Sequence, residues 1–312
     1  MTLQELKRIF KTELSGIYSE SECTELCAVF LYEKTGFDKF QQRRFSHQDL
    51  LLSDEEDFLE IIQLLKTGKP FQQILGHTEF YGKKFFVDEH VLIPRPETEE
   101  LLEIAISEIQ KHFVILNEAT QNEESIEQRD SSHHSATLHS IQNDIKKTIK
   151  ILDIGTGSGI IPITLKNHFP EAEVSAMDIS EKALETAQRN ADLYQAKINF
   201  IQADYLHADL REKYDIIISN PPYIAMEEDI EIENSVKGFE PNIALFSPTE
   251  DALIFYRKIA EDCQKHLTPN GMFFLEINQK LGKETLDLFQ NFSEQKLVKD
   301  LSDNDRFVMG KR

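Results

Sequence analysis

Two hydrophobic periods divide this chain. Over residues 3 to about 68 the apolar positions recur at helical spacing: Leu3, Leu6, Ile9 and Phe10, then Leu26, Val29 and Phe30, then Phe58, Ile61, Ile62 and Leu65. An apolar residue every three or four positions predicts amphipathic helices, and Gly16, Gly36 and Gly68 mark their breaks. Beyond residue 70 the period shortens. Glu79-Phe80-Tyr81-Gly82 predicts a hairpin turn, and Lys84–Val87 and Val91–Ile93 predict short strands. Pro94 and Pro96 hold the next segment extended, and Thr98 is placed to cap a helix over Leu101–Val114. From Ile149 onward apolar runs alternate with helical stretches. Strands are predicted near 150–154, 173–178, 198–202, 214–219, 271–277, 295–301 and 305–309, and helices near 160–168, 180–195, 250–267 and 279–291. Ser180 is the expected N-cap of the second of these helices, and Pro269-Asn270-Gly271 is a turn. This alternation predicts an α/β fold with a doubly wound sheet.

Two stretches lack a period. Residues 117–147 are polar, with few large apolar side chains to offset the entropy of ordering, so a mobile surface insertion is expected. His133, His134 and His139 fall inside it and are read as solvated rather than metal-binding, because no periodic scaffold holds them. Residues 224–249 predict a flap over a site.

Composition narrows the class. At 312 residues the chain has room for about two domains, and 40% apolar content supports a real core. A net charge of −21 argues against strong binding to nucleic-acid backbones, which draws on Lys and Arg. Cys23, Cys27 and Cys263 suggest no disulfide framework, hence a reducing compartment; Cys23 and Cys27 read as small core residues. No run reaches the roughly 18 apolar residues of a membrane span, and the start shows no signal-peptide core, so a cytoplasmic protein is expected.

The candidate chemistry lies at two strand ends. Ile151-Leu152-Asp153-Ile154 runs into Gly155-Thr156-Gly157-Ser158-Gly159, and a helix follows from Ile160. Three alternating glycines let the backbone turn sharply and approach a ligand, while the helix start offers N–H groups. The pattern departs from the dinucleotide fingerprint G-x-G-x-x-G, because the third glycine falls one residue early. Asp178 closes the next strand, 19 residues beyond Gly159, and is placed to accept from ribose hydroxyls. Asn220-Pro221-Pro222-Tyr223 follows the apolar strand Tyr214–Ser219. Ligands of open parallel sheets bind beyond the carboxyl ends of strands, so both stretches face one site. The segment Pro94–Glu99 reads either as an interdomain hinge or as a rigid arm bringing Arg95 or Glu97 to its mouth.

The glycine turn after Asp153 resembles the first motif of S-adenosylmethionine (SAM) methyltransferases. Glu79-Phe80-Tyr81-Gly82, Ile93-Pro94-Arg95-Pro96-Glu97-Thr98-Glu99, Asn220-Pro221-Pro222-Tyr223-Ile224 and Phe239-Glu240-Pro241 extend the likeness. Together they resemble the HemK/PrmC-type methyltransferases, which modify the side-chain nitrogen of a glutamine in class-1 peptide-chain release factors. The likeness covers residues 70–310 and, more loosely, the helical start. It implies a helical domain over 1–69 that binds the release factor, a β-hairpin linker over 70–98, and a Rossmann-like, seven-stranded SAM-dependent domain over 99–312. Gly155, Thr156, Gly157, Ser158 and Gly159 would line the methionine end of SAM, Asp178 would take the ribose, and Tyr205 would flank the adenine. Asn220, Pro221, Pro222 and Tyr223 would receive the glutamine, with Asn220 touching both ligands. The resemblance implies no metal; the acidic chain is expected to act as a cytoplasmic monomer, without direct nucleic-acid or membrane contact. Two departures stand out: the insertion at 117–147, and Asn278 in Glu276-Ile277-Asn278 where the family has glycine. The second is expected to alter a strand-end turn without touching the chemistry.

These residue types suit that reaction. A carboxamide nitrogen is a poor nucleophile because its lone pair is delocalised. Acceptors on Asn220 and on the Pro221 carbonyl orient the NH2 group and stabilise charge growing on nitrogen, and Tyr223 packs on the flat amide. Two rivals remain at this point: a DNA adenine-N6 methyltransferase, which the net charge disfavours, and a non-catalytic module that holds SAM or a translation factor, which an intact Asn220 disfavours.

Overall fold

The computed structural model describes residues 1–112, 148–224 and 238–312. The polar stretch 117–147, its three histidines, and residues 225–237 of the expected flap therefore lie outside the described residues.

The amino-terminal helices form as their apolar stripes predict. Helices α1 (Leu3–Leu14), α2 (Glu20–Thr35), α3 (Lys39–Arg44) and α4 (Leu52–Lys66) are followed by the short α5 (Phe71–Leu75). Reciprocal capping boxes start three of them: Thr2 with Glu5, Ser19 with Glu22 and Asp38 with Gln41. Gly36 ends α2 in the left-handed region, which costs a glycine little. Leu3, Leu6, Phe10, Cys27, Phe30, Phe58 and Leu65 share one apolar cluster. Cys23 and Cys27 are buried within it, and burial pushes the Cys27 thiol up to about 12, so it packs as an inert apolar group.

Strands β1 (His77–Phe80) and β2 (Lys83–Phe86) form the expected hairpin, closed by Tyr81-Gly82 with both φ values positive. Tyr81 is held there by its N–H donating to Glu99 Oε1 at 2.7 Å and its hydroxyl to Glu103 Oε1 at 2.7 Å. Val91–Ile93 does not form the expected strand: Val91 packs on Val87 and Ala183, and the Ile93 N–H donates to Glu240 Oε2 at 3.0 Å rather than to a ladder. Helix α6 covers residues 96–112, so Thr98 lies inside its first turn and does not cap it. The Thr98 hydroxyl is spent elsewhere.

Seven strands form one sheet in the order β5-β4-β3-β6-β7-β9-β8. They are β3 (Lys150–Ile154), β4 (Glu173–Asp178), β5 (Ile198–Gln202), β6 (Tyr214–Ser219), β7 (Leu267–Glu276), β8 (Glu294–Lys299) and β9 (Asp305–Lys311). Strands β3 to β7 run parallel, and β9 pairs antiparallel to both β7 and β8. The turn expected at Pro269-Asn270-Gly271 survives as an irregularity within β7, with Asn270 at φ 65°. Helices α7 (Ile160–His168) and α8 (Glu181–Leu193) connect the early strands, with Ser180 capping α8 as expected. The helix Ile254–His266 leads into β7; the last expected helix splits into a turn at Gln279–Leu281 and a short helix, Gly282–Asp287.

The sheet is covered on both faces, which is why its central strands read as unbroken apolar runs. Ile216, Ile218, Met272 and Phe274 face a core shared with α6 and α7. Their neighbours Ile217, Phe273 and Leu275 face the opposite core around Tyr256 and Phe289. The chain enters the sheet at β3, builds outward through β4 to β5, then returns to β6 on the other side of β3. That reversal opens a crevice beyond the carboxyl ends of β3 and β6.

Candidate active site

Both sequence stretches end in this crevice. Ile154 is the register partner of Ser219, whose hydroxyl donates to the Ile154 carbonyl at 2.7 Å. The next residues, Gly155 and Asn220, are therefore neighbours, and a Cβ on Gly155 would lie 4.0 Å from the Asn220 carbonyl oxygen.

The glycine turn is held by its own surroundings. The N–H groups of Gly155 and Thr156 donate to the Met177 carbonyl, and that of Gly159 donates to Thr156. The Gly157 N–H donates to Asp178 Oδ2 at 2.8 Å. These donors are thus committed within the protein rather than left free at the helix start. Gly159, at φ 79°, sits where a Cβ would come within 3.0 Å of Ala187 Cβ, so glycine is what lets α7 and α8 approach. Beneath the turn lies Asp153, fully buried, with neither carboxylate oxygen hydrogen-bonded among the described residues. Burial pushes its carboxyl up to about 7; the Thr156 hydroxyl opposes the shift, and the Asp178 carboxylate adds to it. Burial also raises Asp178, against the lowering effect of the N–H groups of Ser180, Gly157 and Ile179.

The other strand end is held by distant side chains. Asn220 Nδ2 donates to Thr98 Oγ1 at 3.2 Å, and Thr98 Oγ1 donates to Glu276 Oε2 at 2.8 Å. Glu276 closes β7 at 1% exposure. Burial raises its carboxyl to about 7; the Thr98 hydrogen bond and the charges of Arg306 and Arg95 oppose this, and Glu97 adds to it. Asn278 Nδ2 donates to the Tyr223 carbonyl at 3.2 Å. The departure at Asn278 therefore starts the turn after β7, as expected, and also reaches the backbone that follows Pro222. At φ −65° the position has no need of glycine. The Tyr223 phenol is raised by burial and by Glu276.

A cavity of about 1130 Å³ opens beside these groups. Gly155, Gly157, Asp178, Tyr205, Asn220, Pro221 and Pro222 line it, whereas Thr156, Ser158, Gly159 and Tyr223 do not. Thr156 and Ser158 are buried below the turn, and the Ser158 carbonyl accepts from Asn190 Nδ2 at 2.8 Å. The Tyr205 hydroxyl donates to Asp262 Oδ2 at 2.9 Å, which fixes its ring at the wall. His90 and Leu92 of the linker form one edge, pinned through Asp88 to Thr186 of α8 at 2.6 Å. From the expected flap, Ile224 bridges to Phe246, and Ile243, Phe246 and Ser247 line the far wall.

The linker is tied to this wall by a buried carboxylate. Glu240, 5% exposed, accepts from Arg95 Nη2 at 2.7 Å and from the Ile93 N–H. Arg95 is thus a strut rather than a free cation at the mouth. From the sequence alone, Glu240 and Glu276 stand only within family stretches and Asn278 only as a departure, and none of the three receives a role at the site. The signal for Glu276 was an acid closing an apolar strand, a place where a charge stays only with partners.

A family model described as "Methyltransferase small domain" matches residues 133–236. A release factor glutamine methyltransferase of Flavobacterium psychrophilum is 39% identical, over 99% of this chain and 98% of its own length. Its namesake in Streptococcus pneumoniae is 35% identical over 97% and 95%, and that of Lactococcus lactis 40% identical over 80% of each.

Proposed function

This chain belongs to the release factor glutamine methyltransferases, and from that membership we propose how its crevice performs the transfer. The observation that carries the reading is the juxtaposition of Gly155 with Asn220 at the sheet's reversal, on the wall of one cavity. The protein methylates a glutamine side chain of release factors; the acceptor atom is the amide nitrogen (N5) of the GGQ glutamine in class-1 factors.

The methyl donor is SAM, and the residues present fit it. At about 1130 Å³ the cavity exceeds the roughly 300–1,000 Å³ of an ordinary small-ligand site, so it holds the donor with room for an entering side chain. Glycines at the turn leave the wall bare of side chains, Asp178 faces in at the end of β4, and Tyr205 offers an aromatic edge. Gly155 and Gly157 would hold the methionine end, Asp178 the ribose and Tyr205 the adenine, while Thr156, Ser158 and Gly159 shape the turn from below. When bound, the donor supplies a methyl group on a positively charged sulfur.

Everything else is done by the protein. Asn220 Oδ1 and the Pro221 carbonyl accept from the two N–H bonds of the substrate amide and hold its nitrogen in line. Both acceptors stabilise positive charge as the nitrogen is alkylated. Proline fixes the direction of that carbonyl; Pro222 keeps the turn rigid, and Tyr223, expected to pack on the flat amide, instead packs against the core behind the cavity lining. No strong base is needed, because the alkylated nitrogen is very acidic. Helices α1 to α4 grip the release factor, and the hairpin linker sets their distance from the crevice.

The protein acts as a cytoplasmic monomer without nucleic-acid or membrane contact. The net charge of −21 supports the first absence. No helix among the described residues is long and apolar enough to cross a membrane. The test is incubation with radiolabelled SAM and either a release factor or DNA. Label on the factor alone is expected; label on adenine in DNA would overturn the reading.

A further inference from the structure

Asn220 carries the proposed chemistry, and an asparagine amide has two ends that differ in kind. Only Oδ1 can accept from a substrate NH2, and a flipped amide would present a donor to a donor. The direction of the amide is set by what lies behind it. Behind Asn220 is Thr98 Oγ1, 3.2 Å from Nδ2. A threonine hydroxyl has one proton to give, and here it goes to Glu276 Oε2 at 2.8 Å. Glu276 as a carboxylate can only accept, so it compels Thr98 to donate to it. Thr98 then has only lone pairs to offer Asn220 and admits Nδ2 alone. Thr98 is 2% and Glu276 1% exposed, so water does not substitute for either partner.

We propose that Thr98 and Glu276 are positioning residues that lock the Asn220 amide with Oδ1 toward the incoming glutamine. The backbone that carries this carboxylate is itself held, since the Tyr256 hydroxyl donates to the Glu276 main-chain carbonyl at 3.1 Å. Thr98 is brought to it by the first turn of α6, whose start is tied to the site through Arg95 and Glu240. The linker segment thus serves the reaction through a hydroxyl rather than through a charge at the mouth.

This inference rests on the proposed role of Asn220, and its test separates the two. Single-turnover methyl transfer to a release factor is measured at pH 8 for the wild type, Thr98→Val and Thr98→Ser, each also in an Asn220→Ala background. Calorimetry gives SAM affinity for every variant. Valine keeps the shape and removes the hydroxyl, while serine keeps the hydroxyl. Thr98→Val should slow transfer about tenfold to a hundredfold, the range for outer residues that orient a reacting group. Its SAM affinity should stay within about twofold, and Thr98→Ser within about threefold of the wild-type rate, less than the loss of a charge-assisted hydrogen bond. In the Asn220→Ala background Thr98→Val should cost nothing further, because the two act as a unit. Wild-type transfer by Thr98→Val, equal losses in the valine and serine variants, an undiminished loss in the Asn220→Ala background, or a parallel loss of SAM affinity would each overturn the proposal. A wild-type protein that leaves the release factor unlabelled would instead sink the functional reading, and this inference with it.

Discussion

The two strand ends that meet in the crevice are built in opposite ways. The glycine turn after β3 is held by residues near it in sequence, with Met177 and Asp178 of the next strand taking its N–H groups. Asn220 and Tyr223 after β6 are held by Thr98, 122 positions away, and Asn278, 55 positions away. The first is a backbone device, and the buried carboxylate beneath it, Asp153, is left without a hydrogen-bond partner among the described residues. The second is a side-chain device whose polar groups are paired across the molecule. A ligand cradle can thus be specified locally, whereas the orientation of a reacting amide is specified by the tertiary fold.

The comparison breaks first at Asn220. Asn220→Ala should lower transfer by about 10²–10³, the usual scale for one preorganised polar group, and leave SAM affinity within about twofold. Rapid-quench kinetics with calorimetry would show it, and a joint loss of rate and affinity would mean the two ends are not separable.

The glycine turn should fail differently, through stability. Gly159→Ala places a Cβ within 3.0 Å of Ala187 at φ 79°. The strain and clash together should cost roughly 2–3 kcal/mol, read by chemical denaturation. A cost no larger than that of Gly155→Ala, where the same Cβ meets nothing closer than 4.0 Å, would mean the close helix approach is not what requires glycine.

Asp178 joins the cradle to its ligand. Asp178→Ala removes the acceptor of the Gly157 and Ser180 N–H groups as well as the proposed ribose partner. SAM affinity should weaken by roughly 1–3 kcal/mol, and unchanged affinity by calorimetry would refute the ribose assignment.

The last effect concerns Asp153 and shows only as pH changes. Its carboxyl is raised to about 7 in the fold, against about 3.9 in an unfolded chain. Between these values the folded protein binds the extra proton, so stability falls as pH rises through the window and levels off above it. Asp153→Asn removes that loss. From pH 5 to pH 8 the wild type should lose roughly 2–3 kcal/mol more than the variant in denaturant titrations. Parallel pH profiles would show that the carboxyl does not titrate in this range.

Legibility in the sequence follows the same division. The seven strands, the glycine turn, Asp178 and the Ser180 cap are local patterns, and the structure places them within a few residues of expectation. Thr98 was misread as a cap because its neighbours form a plausible helix start, while its real partner lies 178 positions away. Val91–Ile93 was misread as a strand because an apolar triplet does not reveal that its N–H serves Glu240. Asn278 was dismissed as a turn substitution because its reach to Tyr223 depends on β6 and β7 lying side by side.

The central claim is that Asn220 presents its acceptor to a single glutamine carboxamide of a release factor. The direct measurement is tandem mass spectrometry of the factor after incubation with isotope-labelled SAM, using the intact factor and one with that glutamine replaced by asparagine. The account predicts label on the side-chain nitrogen of that one glutamine, and none on the replaced factor or from the Asn220→Ala enzyme. Label that persists on the replaced factor, or that Asn220→Ala delivers at the wild-type rate, would contradict it.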